Sequence, residues 1–307
     1  MRYSLISRFH GTFLGAMLGE SMPFSLEMLP VKSLDWLEMA IMGAESLIEL
    51  GKFDLDDWHK RQQQEFAHLN SSLDVLPGAI LATLPVALFF HENTIKLREN
   101  LLDLTKIWGD NPLIRDGILA VGYAIAQSLR EKLSPVTLIP QTISFIGETS
   151  TSLPQQLSKV NYLLNCQAGL ETAQVELIRE EKLINTIGMA FYCFLSTLED
   201  FRLSILRATQ NNDSLQGLSA ITGALSGAYN STVGIPVTWQ ILLVEAKSAE
   251  EGLNRVPQMV KLADVLMAVW SGVYNFASDS SETTDEDFAN TQRFSLLQAI
   301  ASPRVIR

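Results

Sequence analysis

Apolar residues recur at spacings of three and four along most of the 307-residue chain, and no stretch sustains an alternation of apolar and polar residues. The first spacing places side chains on one face of an α-helix, whereas alternation is typical of a half-buried strand. No hairpin-type turn links two β-branched runs either. The pattern therefore predicts an all-α chain. The predicted helices span residues 4–21, 33–50, 54–68, 76–90, 93–108, 112–132, 138–146, 153–166, 171–180, 183–198, 201–209, 214–229, 236–246, 249–276 and 288–301.

Two of these helices carry stripes of very small residues. Gly11, Gly15 and Gly19 recur every fourth residue in the first helix. A second stripe lies in the helix 214–229 and consists of Ala220, Gly223, Ala224, Gly227 and Ala228. Each glycine costs about 1 kcal/mol in a helix interior, so the stripes need a packing reason. They predict a crossing at or below the low end of the usual helix separation of about 8–10 Å.

The C-terminal part of the chain differs in composition from the rest. Residues 278–287 read SDSSETTDED, an acidic run that is rich in hydroxyl groups and cannot form a core. We expect a flexible linker there, which proteases would cut first. The predicted organisation is one helical domain over residues 1–277, the acidic linker at 278–287, and a C-terminal helix and tail at 288–307.

Composition and charge narrow the class of protein. Apolar residues make up 47% of the chain and charged residues 19%, which is typical of a globular protein. The net charge is −11 and Lys and Arg form no long cluster, so we expect no nucleic-acid partner. The longest uncharged apolar run, at 75–90, is too short to span a membrane. No signal peptide is expected either.

The two cysteines, Cys166 and Cys193, both fall within apolar helical patterns. Such a pattern predicts free, buried thiols. Free thiols are typical of a reducing compartment, so the sequence predicts a cytoplasmic protein.

Three stretches of the sequence form a recognisable set. The helix ITGALSGAY at 221–229 is followed by Gly234-Ile235-Pro236 and then by Trp239. The opening RFHGTFLGAMLGESM, at 8–22, has the regular glycine spacing already described, and MAIMGAESLIELGKFD covers 39–54. Together these stretches resemble the ADP-ribosylglycohydrolase family, which includes the enzymes that remove ADP-ribose from nitrogenase reductase. The resemblance runs from residue 8 to about residue 277 and implies a single-domain helical bundle.

The resemblance also implies a site. Family members hold two Mg²⁺ or Mn²⁺ ions in a central cleft with an early Thr-Asp-Asp motif and a late Asp-x-Asp-Thr/Ser motif. In this chain the matching positions supply Asp35 and Asp213, and Ser214 offers a hydroxyl, so these three are the metal candidates. Without gaps, Asp213 falls on a glycine of the family's motif and Gln216 on its second aspartate, whereas a gapped alignment makes Asp213 the first aspartate. Glu20 stands at another family aspartate and is the candidate catalytic residue.

Several positions depart from the family's pattern. Trp36 stands at a carboxylate position of the early motif, and at least one aspartate of the late motif is missing in either alignment, so at least two of the four carboxylates are absent. The helix 76–90 opens with Leu-Pro-Gly where the family has a polar Gly-Asn-Gly, and Ala82 takes an arginine position. Trp108 lies in the neighbourhood where the family has Thr-His. We therefore expect no bound metal, or a single weakly bound Mg²⁺.

Three functions follow from this comparison. The first, which we favour, is a catalytically impaired family member that binds an ADP-ribose-like ligand or a protein partner as a regulatory module. The second is an active hydrolase of ADP-ribosyl bonds with a rebuilt site. The third is a structural or assembly subunit, in which Trp36 and Trp108 would anchor an interface. The sequence does not indicate the oligomeric state.

Overall fold

Fifteen α-helices follow one another in the computed structural model, which describes residues 3–21, 35–65, 76–210, 217–245 and 255–273. These parts of the chain contain no strand. Two single 3-10 turns lie at Lys106–Trp108 and Thr232–Gly234. The helices are α1 Leu5–Ser21, α2 Asp35–Leu50, α3 Leu55–Glu65, α4 Leu76–Ala82, α5 Leu84–Phe89, α6 Thr94–Thr105, α7 Pro112–Leu129, α8 Leu138–Ile146, α9 Leu153–Asn165, α10 Leu170–Leu177, α11 Lys182–Ser196, α12 Phe201–Thr209, α13 Leu218–Asn230, α14 Val237–Glu245 and α15 Arg255–Trp270. The predicted all-α class is confirmed.

Helix boundaries follow local polar signals. The side chain of Asn93 accepts hydrogen bonds from the backbone N–H groups of Ile95 and Lys96, and α6 starts at the next residue. Asp200 caps α12 in the same way, through the N–H of Leu203. These caps satisfy donors that the first turn of a helix leaves without partners. Such polar residues are visible in the sequence, which is why many boundaries agree with the prediction within a few residues.

One predicted helix is divided in two. The apolar run at 76–90 forms α4 and α5, with a break at Thr83. Pro85 has no N–H to donate to the preceding turn, so a continuous helix would lack a hydrogen bond there. The break is stabilised locally, because both the backbone N–H and the hydroxyl of Thr83 donate to the carbonyl of Ile80, at 3.2 and 2.7 Å.

The two small-residue stripes pack against each other. A Cβ atom added to Gly15 would lie 2.1 Å from the carbonyl oxygen of Gly223, and one added to Gly223 would lie 1.9 Å from that of Gly15. Gly11 and Gly227 oppose each other in the same way. Real Cβ atoms do not approach that closely, so the backbones of α1 and α13 touch where glycine removes the side chain. The predicted close crossing is confirmed.

The other helices surround this central pair. Helices α11 and α12 pack on α13, α2 packs on α4 and α5, and α15 packs on α1 and α2. One continuous hydrophobic core draws on nearly all of them. Within α13 only Tyr229 is not fully buried, which is unusual for a helix of an ordinary bundle and marks it as the centre of the fold. No helix in the described ranges is long and apolar enough to cross a membrane.

The prediction for the cysteines is wrong for one of the two. Cys193 is buried in α11, where burial raises the pKa of its thiol to about 12, although the Arg207 charge acts in the opposite direction. Cys166 is exposed. The reason is that α9 ends at Asn165 and the chain then turns through Gln167 at a φ of +51°, so Cys166 lies beyond the buried face of the helix. Both thiols are free.

Candidate functional site

Four helix ends meet on one side of the molecule, which we call the cleft end. The last turn of α1 approaches the start of α13, because a Cβ added to Gly19 would lie 1.9 Å from the carbonyl oxygen of Ser219. Gly217, just before α13, lies against Pro77 in the first turn of α4. Gly78 faces the Cβ of Trp36 in the first turn of α2, at 3.5 Å from its own added Cβ. The last turn of α1 and the starts of α2, α4 and α13 therefore lie together, as the family resemblance implies.

The structure places two of the four predicted site residues at this end. Asp35 is the first residue of α2. Glu20, next to the last residue of α1, is half-buried and takes part in a polar or electrostatic interaction. Asp213 and Ser214 lie outside the described residues. The expectation that the carboxylates of Asp35 and Asp213 face one cleft stays a prediction.

Trp36 fills space at the cleft end. It is only 3% exposed and belongs to the hydrophobic core. Its indole N–H is buried and has no acceptor among the described residues. A buried donor without a partner costs free energy, and this N–H is such an unsatisfied donor in otherwise apolar surroundings. An indole N–H donates only and does not bind a metal ion.

Two hydroxyl side chains at the cleft end already have partners within their own helices. Mg²⁺ and Mn²⁺ require several oxygen ligands, of which carboxylates supply the charge. The hydroxyls of Ser21 and Thr222 are engaged within their own helices, with the carbonyls of Met17 and Leu218 at 2.7 and 2.8 Å. No group of three or more His, Cys, Asp or Glu side chains in the described ranges is placed to hold a metal ion.

A buried carboxylate elsewhere has a structural role that the sequence did not reveal. Asp116 in α7 is fully buried and accepts hydrogen bonds from the hydroxyls of Thr149 and Thr151 and from the Nε of Arg115. Arg115 also donates to the hydroxyl of Thr149. The network ties the loop between α8 and α9 to α7. Both carboxylate oxygens of Asp116 find partners within the network.

Sequence reasoning also missed a polar recess around Arg207. Its lining comes from α9, α11, α12 and the connections that follow α7 and α9, and includes Asn161, Asn165, Gln167 and Ser196. No motif could reveal it, because its lining comes from segments that are distant along the chain and only packing brings them together.

Comparison with known proteins agrees with this architecture. The family model described as ADP-ribosylglycohydrolase matches residues 1–274. A solved structure described as an "ADP-ribosylglycohydrolase-related protein complex" superposes with a TM-score of 0.61 at 18% sequence identity, over 87% of this chain and 99% of that one. At that identity the likeness concerns the fold. The comparison with curated protein sequences gives no match. Since the family model matches well over half of the 307-residue chain, the chain belongs to the ADP-ribosylglycohydrolase family.

Proposed function

We propose that this protein is a catalytically impaired member of the ADP-ribosylglycohydrolase family that acts as a binding or regulatory module. The observation that carries the proposal is the burial of Trp36, at 3% exposure, in the first turn of α2. By resemblance this position holds a metal-binding carboxylate in the family. An indole that packs as part of the core cannot be replaced by a ligated ion without rebuilding the start of α2.

Electrostatics supports the same conclusion. Two divalent cations bring four positive charges close together, and the family's pattern offsets them with four carboxylates. In this chain that pattern retains at most Asp35 and Asp213. Two carboxylates can hold one ion weakly, but they do not offset two. We therefore propose that the protein binds no metal or a single weakly held Mg²⁺.

The arrangement of helix starts at the cleft end supports binding of an ADP-ribose-like ligand. The helices α2 and α13 both begin at the cleft end, so their positive dipole ends and free backbone N–H groups lie on the same side of the molecule. Such ends favour negatively charged groups, including the diphosphate of an ADP-ribose-like ligand. We propose that the cleft end binds an ADP-ribose-like ligand, or a protein partner that carries one.

The alternative of an assembly subunit loses one of the two tryptophans that suggested it. Trp36 is part of the core and is not available as an interface anchor. Trp108 is half-buried and packs against the core as well. The competing function is a hydrolase with a rebuilt site, which would release ADP-ribose from a substrate.

Binding and turnover of ADP-ribose separate these functions. Calorimetry with free ADP-ribose should show binding, and incubation with a peptide that is ADP-ribosylated on arginine should release no ADP-ribose, with or without Mg²⁺ or Mn²⁺. An active glycohydrolase of the family serves as the positive control for the assay. Metal-dependent release that is lost in Asp35→Ala would establish the hydrolase instead. Absence of both binding and release would contradict an ADP-ribose-binding module.

A further inference from the structure

Helix α14 carries large apolar side chains on its exposed side. Val237 and Ile241 are 68% and 49% exposed and lie four residues apart, so they share one side of the helix. Leu242 is exposed next to Ile241, and Val233, in the 3-10 turn before α14, is 72% exposed. We call these four residues the α14 patch. The only charged residue of α14 is its last, Glu245.

The other side of α14 holds the helix against the core. Leu243 is buried, and the ring of Trp239 contacts that of Phe201 at the start of α12, with centroids 6.4 Å apart. The side-chain amide of Gln240 donates to the carbonyls of Thr232 and Ile235, at 3.2 and 2.9 Å, and so ties the 3-10 turn to the helix. A helix that is apolar on both sides is typical of an element covered on both sides.

The size of the α14 patch indicates what kind of partner covers it. A stable interface between two proteins involves about 20–30 residues on each side, whereas the patch consists of four side chains. A tethered segment needs less surface, because a short flexible linker holds it at an effective concentration in the millimolar range. A segment of the same chain therefore fits the patch better than a second copy does.

The chain leaves the described residues at a defined point after α15. The helix ends at Trp270, and Gly272 follows with a φ of +73°. The N–H of Val273 donates to the carbonyl of Ala268 at 3.0 Å, the hydrogen bond that closes a helix through a left-handed glycine. Val273 is exposed and is the last described residue.

This exit point and the α14 patch both lie near the start of α1. The ring of Trp270 contacts His91, which in turn contacts Phe9 in α1. In the same part of α1, the hydroxyl of Ser7 lies 2.6 Å from that of Thr232, in the 3-10 turn that belongs to the patch. Two pairs of contacts to α1 thus connect the end of α15 with the beginning of α14.

The remaining chain is long enough to return to the patch. Residues 274–307 lie outside the described residues, and the first 14 of them, 274–287, precede the helix that the sequence predicts at 288–301. At about 3.3–3.6 Å per residue, 14 residues can span at most about 50 Å. A flexible chain of that length has an average end-to-end distance of about 20 Å.

The composition of the predicted C-terminal helix suits the α14 patch. Its apolar residues Phe294, Leu297, Ile300 and Ala301 follow one another at helical spacing and share one face. The last 20 residues, 288–307, include three arginines and no acidic residue, although the whole chain has a net charge of −11. Attraction between this basic segment and the acidic remainder of the chain favours association.

We propose that residues 288–301 form a helix that packs with this apolar face on the α14 patch of the same molecule. The linker at 274–287 would connect the end of α15 to the docked helix. The proposal does not depend on the function of the cleft end, because it uses no residue there.

Hydrogen–deuterium exchange of the full chain, followed by mass spectrometry, tests this packing. In the natural chain the amides of 288–301 should exchange at least about tenfold more slowly than in a free peptide of the same sequence. Ile241→Asp should remove most of that protection, because it places a carboxylate in an apolar contact. In the reciprocal variant, Leu297→Asp, the amides of 237–245 should exchange faster, since the short helix α14 loses its cover.

Each variant has a matched control. Ile95→Asp makes the same change at an isoleucine that is 72% exposed on α6, which packs on α5 and α7, and should leave the exchange of 288–301 unchanged. Ser295→Asp lies on the opposite side of the predicted helix from Leu297 and should leave the exchange of 237–245 unchanged.

Three results would overturn the proposal. The first is exchange of 288–301 as fast as in the free peptide, and the second is an equal loss of protection in Ile95→Asp and Ile241→Asp. The third is protection that increases with protein concentration, which would assign the α14 patch to a second copy of the chain.

Discussion

His91 shows how one side chain couples the stability of this bundle to pH. The imidazole is 2% exposed and lies between the rings of Phe9 and Trp270, with ring centroids 5.8 and 4.8 Å away. Its Nδ1 lies 2.7 Å from the carbonyl oxygen of Leu88, so the neutral ring donates there. Burial among aromatic rings disfavours the imidazolium and lowers the pKa of His91 to about 4, with the Arg130 charge acting in the same direction.

The free energy of unfolding should therefore fall as the pH is lowered from about 6.5 to about 4. In that window the unfolded chain binds a proton at His91 and the folded chain does not. The loss should be on the order of 2–3 kcal/mol. The variant His91→Phe keeps the ring contacts and cannot titrate, so urea unfolding at several pH values should show a flatter profile. The matched variant His59→Phe, at an exposed position, should keep the slope. If the unfolding free energy of His91→Phe depended on pH as steeply as that of the natural chain, other groups would be responsible for the pH dependence.

Residue-level expectations held where local sequence decides the outcome and failed where packing decides it. Helix α12 covers residues 201–209 as predicted, since its cap, Asp200, depends only on the next three residues. Cys166 was judged from its neighbours in sequence, and it is exposed because the helix ends one residue earlier. The burial of Trp36 depends on a contact with Gly78, which is far along the chain.

At the scale of elements, the pair α1 and α13 determines how the rest is arranged. The sequence predicted a close crossing at one small-residue stripe or the other, because glycine costs free energy in a helix interior and so needs a packing reason. It did not specify that the two stripes face each other. Nothing local to residues 11–19 encodes a partner some 200 residues away, and only the matching four-residue spacing of both stripes could have suggested it.

Gly223 tests this crossing. Gly223→Ala should destabilise the protein by at least about 1–3 kcal/mol, the range for overpacking, since the new Cβ would lie 1.9 Å from the carbonyl oxygen of Gly15. Gly223→Leu should cost more or prevent folding. The control is Gly169→Ala, because a Cβ there meets nothing within 4 Å. Thermal and urea denaturation of the three variants provide the measurement. Equal melting temperatures for Gly223→Ala and Gly169→Ala would show that the helices are not in backbone contact.

For the molecule as a whole, the fold and the site were predictable to different degrees. The all-α class was predicted because dozens of positions contribute to the helical periodicity. The family was predicted from longer stretches such as the helix ITGALSGAY with its Gly-Ile-Pro turn. The site depends on very few residues, and two of its three metal candidates, Asp213 and Ser214, lie outside the described ranges. The polar recess around Arg207 was not predicted, because no spacing in sequence reflects a contact among segments that are distant along the chain.

The response of the whole molecule to divalent metal is the sharpest test of an impaired centre. A ligand at a hundredfold its dissociation constant stabilises a protein by about 2.7 kcal/mol, which for a domain of this size raises the melting temperature by at least about 4 °C. An intact dinuclear site should give such a shift with Mg²⁺ or Mn²⁺, and Asp35→Ala or Asp213→Ala should abolish it. We expect a shift within the error of the scan in the natural chain, because the resemblance places Trp36 at a carboxylate position of the family and leaves at most two of its four carboxylates. A shift of several degrees that both variants remove would establish a working metal centre and favour the rebuilt hydrolase.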